Sequence, residues 1–76
     1  MPRLKRLTAK QIIPILLEAG FYLHHTRGSH VHLRHSIKTH LRVVIPQHNR
    51  VLAPKTIKSI IFQAELDTEA LLQFFN

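Results

Sequence analysis

The stretch Gly28-Ser29-His30-Val31-His32-Leu33-Arg34 decides the fold of this 76-residue chain. Apolar and polar residues alternate along it with period two, which is typical of a half-buried β-strand. In this phase Val31 and Leu33 point into a core, while His30, His32 and Arg34 share the open face. A histidine that opens a strand behind a glycine turn, beside arginines, suits a site that handles a phosphate and a proton together.

A helix is predicted before this strand. Thr8 and Gln11 have capping-box spacing, and Gly20 suits the left-handed position that ends a helix. Pro14 lies inside this segment, so we expect a kink or a late start. The expected buried face consists of Ile12, Ile13, Leu16, Leu17 and Ala19.

Three short strands are predicted after this helix. The first covers residues 21–25 with Phe21 and Leu23 inward, and residues 26–28 turn into the second strand, residues 29–35. A second turn at residues 36–39 leads to a third strand, residues 41–45, which Pro46 ends. Short loops between consecutive strands predict an antiparallel meander with helices covering one face.

A second helix is predicted from Pro54, a residue favoured at the first helical position. Its apolar stripe is Ile57, Ile60, Ile61 and Ala64. Asp67 or Thr68 would cap a last short helix that includes Leu71, Leu72, Phe74 and Phe75. The chain is therefore predicted to be one α+β domain, residues 1–76, of order α-β-β-β-α. Residues 1–7 form a basic lead, and residues 66–76 form a C-terminal helical extension.

The charge is strongly asymmetric. The chain has eleven Lys and Arg and four Asp and Glu, a net charge of +7. Residues 1–64 contain all eleven basic residues and one acid, Glu18, a net charge of +10. A field of this sign attracts nucleic acid.

Several classes of protein are excluded or disfavoured. The chain has no cysteine, so no disulfide or thiolate metal site supports the core. It shows no apolar stretch long enough to span a membrane and no signal peptide. These features predict a cytoplasmic protein without a membrane partner.

Four segments in order resemble the HicA toxin family of bacterial toxin–antitoxin systems. They are Glu18-Ala19-Gly20-Phe21, Arg27-Gly28-Ser29-His30, Val44-Ile45-Pro46 and residues 56–64. The resemblance covers nearly the whole chain from Thr8 onward. Two positions depart from the family pattern: Lys55 and Glu65 stand where glycine is common, and Glu65 would deprive the second helix of a glycine cap.

The resemblance implies a fold like the double-stranded RNA-binding domain and a small metal-independent ribonuclease that cleaves mRNA. It also implies a HicB-type antitoxin that covers the active site. The catalytic histidine of the family's Gly-Ser-His motif corresponds to His30, and Gly28 and Ser29 correspond to its other two positions.

The residue types fit this chemistry. RNA cleavage without a metal needs a base, an acid and cations, and histidine suits either proton role. Besides Gly28 and Ser29, the predicted substrate-binding residues are Arg27, His32, Arg34, Lys55 and Lys58. His32 is the leading candidate for the second proton-transfer group.

The sequence is also compatible with other interpretations. The seven histidines suggest a metal site built on His30 and His32 with His24 or His25, but the sequence lacks the carboxylates and spacings of known sites, so we predict no metal and no cofactor. His35, His40 and His48 are expected to be solvated. The alternative functions are a non-catalytic RNA-binding domain of the same fold and a protein-interaction module that uses the Phe-rich tail.

Overall fold

The order of elements confirms the predicted α-β-β-β-α arrangement. A computed structural model describes residues 7–48 and 50–67 and contains α1 (Ala9–Glu18), β1 (Phe21–Arg27), β2 (His30–His35), β3 (Arg42–Pro46) and α2 (Pro54–Ala64). The predicted C-terminal helix lies outside the described residues, as does the basic lead apart from Leu7.

The three strands form one antiparallel sheet in the order β1-β2-β3, with β2 in the centre. Arg27 pairs with His30, so a loop of only two residues, Gly28 and Ser29, joins β1 to β2. Gly28 has a φ of 59°, and glycine with positive φ at the first loop position is typical of a type II′ turn. The first strand therefore continues to Arg27 rather than ending at His25.

Alternate residues of β2 and β3 build the core. Val31, Leu33, Val43 and Ile45 are at most 3% exposed, which confirms the predicted alternation. Leu23, however, was predicted to point inward and is 57% exposed. All of β1 after Phe21 is exposed, so the two helices leave the inner side of this edge strand uncovered.

The first helix begins where the capping box predicts. The backbone N–H of Thr8 donates to Oε1 of Gln11 at 2.9 Å, and the helix continues through Pro14, so the late start is wrong. Its buried face is rotated from the predicted one, with Leu17 and Ala19 exposed. Residues Ala9, Ile12, Ile15 and Leu16 are buried instead.

His35 links the end of α1 to the sheet through a hydrogen bond. Its Nε2 donates to the carbonyl of Ala19 at 3.0 Å, and its Nδ1 accepts the backbone N–H groups of Ile37 and Lys38 at 3.1 and 2.9 Å. Gly20, with a φ of 103°, lies so near that a Cβ there would be 2.7 Å from Nε2 of His35. The prediction of a solvated His35 is therefore wrong, because both ring nitrogens have backbone partners.

The second helix has the predicted first residue, Pro54, and the predicted buried apolar stripe. Pro54 occupies the first turn, and Ile57, Ile60, Ile61 and Ala64 are buried. Glu65 adopts the left-handed conformation at a φ of 54°, and the N–H of Leu66 donates to the carbonyl of Ile61 at 3.0 Å. The helix thus keeps a Schellman-type end without glycine, at a cost of about 1–2 kcal/mol for a left-handed L-residue.

Candidate functional site

His30 is the first residue of the central strand and is exposed. It pairs with Arg27 of β1 on one side and with Pro46 of β3 on the other. The carbonyl of Ser29 accepts a hydrogen bond from the backbone N–H of Gln47. The turn before β2 therefore also contacts the residue that follows β3. The backbone on both sides of the histidine is therefore held in place, while its side chain is exposed to solvent.

A cleft of about 340 Å³ separates His30 and β3 from α2. It is open to solvent, and α2 provides most of its polar lining. Its lining residues are His30, Val44, Pro46, Lys55, Thr56, Ser59, Ile60 and Gln63.

Gln63 attaches α2 to the edge of the sheet. Its Oε1 accepts the backbone N–H of Val44 at 3.2 Å, and its Nε2 donates to Oγ of Ser59 at 2.9 Å. Edge strands have backbone groups without a strand partner, and here a helix side chain satisfies one of them. This contact helps to hold the polar side of α2 opposite His30.

Ser59, Gln63 and Thr56 were not among the predicted site residues. Lys55, Ser59 and Gln63 are four residues apart and so lie on one face of the helix. This polar stripe beside the apolar stripe is visible in the sequence and could have suggested the second wall of the cleft.

The start of α2 adds positive potential to the same cleft. Pro54 has no backbone N–H. Ala53 occupies the N-cap position, and no side chain of the described residues caps this end of the helix. The next backbone N–H groups, of Lys55 and Thr56, belong to the positive end of the helix, which favours anions. The Lys55 ammonium group adds a full charge there.

The other predicted residues are distributed around His30. Gly28 and Ser29 form the exposed turn, and Arg27 is exposed beside it. Arg34 is half-buried on the open face near the far end of β2. Lys58 is exposed on α2 but does not line the cleft.

His32 lies on the open face two residues after His30. The Cα atoms of two such residues are about 7 Å apart along a strand. Its ring stacks on that of His25, with centroids 4.2 Å apart and an angle of 12° between the planes. Partial desolvation, and then the positive charges of His25, His30 and Arg27, lower the pKa of His32. This residue therefore stays neutral to a lower pH than an ordinary histidine.

Residues 7–48 and 50–67 contain neither a cluster of metal ligands nor a membrane-spanning helix. No group of three His, Asp or Glu side chains there is arranged to hold a metal ion. Within the same ranges no helix is long and apolar enough to cross a membrane.

A known family model matches most of the chain. The family model described as the HicA toxin of bacterial toxin–antitoxin systems matches residues 9–66, which include every described helix and strand. No curated protein and no solved structure shows significant similarity to the chain. Since the match covers most of the sequence and includes both walls of the cleft, the chain belongs to the HicA toxin family of bacterial toxin–antitoxin systems.

Proposed function

We propose that this toxin is a metal-independent endoribonuclease that cleaves mRNA, with His30 as the catalytic residue. The observation that supports this most is the cleft, in which an exposed histidine faces the positive start of a helix and its lysine. A histidine and a phosphate-binding helix start on opposite walls would place a proton-transfer group beside an RNA phosphate. Action on mRNA would place the protein in the cytoplasm.

The reaction requires an attack by the ribose 2′ oxygen on the adjacent phosphorus. A bond forms between the 2′ oxygen and phosphorus, the bond from phosphorus to the 5′ oxygen breaks, and the leaving oxygen receives a proton. His30 would take the 2′ proton or supply the proton to the leaving group. His32 remains the leading candidate for the proton-transfer role that His30 does not take. The lowered pKa of His32 favours its neutral form, which can accept a proton.

The negative charge that builds on the phosphate needs donors and cations. Lys55, together with the first free N–H groups of α2, would stabilise it from one wall of the cleft. Arg27 and the amides of Gly28 and Ser29 lie on the other side of His30. Arg34 and Lys58 would contact neighbouring phosphates along the strand of RNA.

Replacing the catalytic residue gives the first test. His30→Ala should lower the rate of RNA cleavage by about 10²–10⁴-fold, as expected for a lost general acid or base. Thermal unfolding should change little, because this side chain is exposed. Cleavage of total RNA is measured after expression of the wild type, His30→Ala and the control His48→Ala, an exposed histidine in the loop after β3.

Undiminished cleavage by a folded His30→Ala protein would refute the catalytic assignment. Retained RNA affinity with no cleavage even in the wild type would favour the non-catalytic RNA-binding domain. Activity should also survive EDTA, and its loss with recovery on adding one divalent ion would show a metal-dependent reaction.

The cleft makes a second prediction for two lysines on the same helix. Lys55→Gln should weaken RNA binding and cleavage more than Lys58→Gln, because only Lys55 lines the cleft. The logarithm of the binding constant for single-stranded RNA falls linearly with the logarithm of the salt concentration. Each lost phosphate contact should make this slope less steep by about 0.7. Equal effects of the two changes, measured by titration at several salt concentrations, would place the RNA along the outer side of α2 instead.

Control of the nuclease is proposed to come from a HicB-type antitoxin that covers His30. Family membership implies an antitoxin partner. The partner's contact surface should be acidic, because residues 1–64 have a net charge of +10. Phe62, 84% exposed on α2, offers apolar area for the same contact.

The third prediction concerns this complex. The product of the adjacent gene should co-purify with the toxin and block RNA digestion. Arg27→Glu should slow association, more strongly at low salt, where opposite charges attract over a longer distance. A stable complex that digests RNA as fast as the free toxin would rule out coverage of His30.

A further inference from the structure

Four exposed or half-exposed rings form a continuous row on the open face of the β1–β2 hairpin. Tyr22 lies 6.4 Å from His24, His24 lies 4.9 Å from His25, and His25 stacks on His32 at 4.2 Å, all between ring centroids. We call Tyr22, His24, His25 and His32 the ring row. It ends at His32, the next open-face residue after His30 on β2.

An irregularity in β1 creates this row. Leu23 pairs with Leu33 and His25 pairs with His32, so His24 is an extra residue in the first strand. With strict alternation His25 would face the same side as Leu23. The β-bulge instead turns His25 to the open face, against His32. A bulge that re-aims one ring onto another beside a candidate active site indicates a functional surface.

Stability of the fold does not explain the ring row. Tyr22, His24 and His25 are exposed, so their rings add little to the core. One short contact joins Nδ1 of His24 to Nδ1 of His25 at 2.6 Å and fixes the two rings relative to each other. The row is thus ordered by its own contacts, while Tyr22, His24 and His25 remain exposed to solvent.

The charge around the ring row favours a polyanion. Arg27 follows the row on β1, and Arg34 of β2 pairs with Tyr22. No Asp or Glu occurs between Ala19 and Ala64, so these arginines have no acidic partner within the sheet or α2. Exposed rings flanked by cations are what proteins use to bind single-stranded nucleic acid, whose bases stack on the rings while its phosphates meet the charges.

We propose that the ring row is a stacking surface for unpaired RNA bases next to the cleavage site. The inference rests on the proposed ribonuclease function and makes it more specific: the substrate is single-stranded, and bases flanking the cut stack on His25 and its neighbours. The phosphate between those bases and the cleft then lies near His30. Fully paired RNA would not fit, because its base faces are already stacked inside the helix.

The test measures binding of three fluorescent probes at about pH 8, where an ordinary imidazole is neutral. The probes are a short 2′-O-methyl oligoadenylate, the same backbone without bases, and a 2′-O-methyl duplex; none has the free 2′-OH that cleavage requires. The protein variants are the wild type, His25→Leu, His25→Phe and Phe62→Leu. Phe62, an exposed ring on α2 and not on the sheet, is the matched control in the RNA-binding assay only, since its proposed contact is with the antitoxin.

His25→Leu should weaken oligoadenylate binding by between about 5-fold and 150-fold, the range for one lost base–ring contact. His25→Phe should restore affinity to within about threefold, since it keeps an aromatic ring without a titratable nitrogen. The salt dependence should change little in either variant, because neither change removes a lysine or an arginine. The backbone without bases and the duplex should bind more weakly than oligoadenylate.

Three results would overturn the proposal: normal oligoadenylate binding by His25→Leu, failure of His25→Phe to restore binding, or equally tight binding of the probe without bases. If His25→Leu binds RNA normally but no longer binds the antitoxin, the ring row is a protein interface. A separate assay of RNA cleavage by the wild type keeps the two hypotheses apart. Absence of cleavage would refute the nuclease, and normal cleavage with unchanged binding would refute only the stacking surface.

Discussion

The central position of β2 is the constraint on which the rest of the structure depends. Its inward residues, Val31 and Leu33, are almost completely buried. Burial on one face fixes the pairing register, because a slip of one residue would move every side chain to the opposite face. The same register fixes His30 and His32 on the open face. Core packing and site geometry are therefore specified by one strand.

The site arises where this strand's first residue meets the second helix. A two-residue turn allows His30 to pair with β1 immediately after the loop, and its other neighbour is the end of β3. Gln63 satisfies a backbone N–H on that edge strand and so holds α2 nearby. The positive start of α2 and the histidine then line one cleft.

The sequence predicted the elements whose signals are local. The β2 alternation, the Pro54 helix start and the Gly20 helix end depend on nearby residues, and the structure confirms them. The exposure of Leu23 could not be predicted from alternation, because it depends on how far the helices extend over the edge strand.

The remaining differences depend on contacts between distant residues. The bulge at His24 depends on the register in which β1 pairs with β2, which the sequence of β1 alone does not determine. This bulge brings the rings of His25 and His32 together. The sequence pattern alone predicts a solvated His35, whereas its Nε2 donates to the carbonyl of Ala19 at the end of α1, a residue distant in sequence. The polar stripe of α2 was visible in the sequence, but its position opposite His30 follows from the packing of the helix against β3.

The central claim is that an RNA phosphate binds in the cleft between His30 and the start of α2. The most direct test is a ¹H–¹⁵N NMR titration of the labelled protein with single-stranded 2′-O-methyl RNA, which cannot be cleaved through its 2′ position. The account predicts that the largest shifts occur at the backbone amides of His30, Lys55 and Ser59. Shifts concentrated on α1, with these three amides unchanged at saturation, would contradict it.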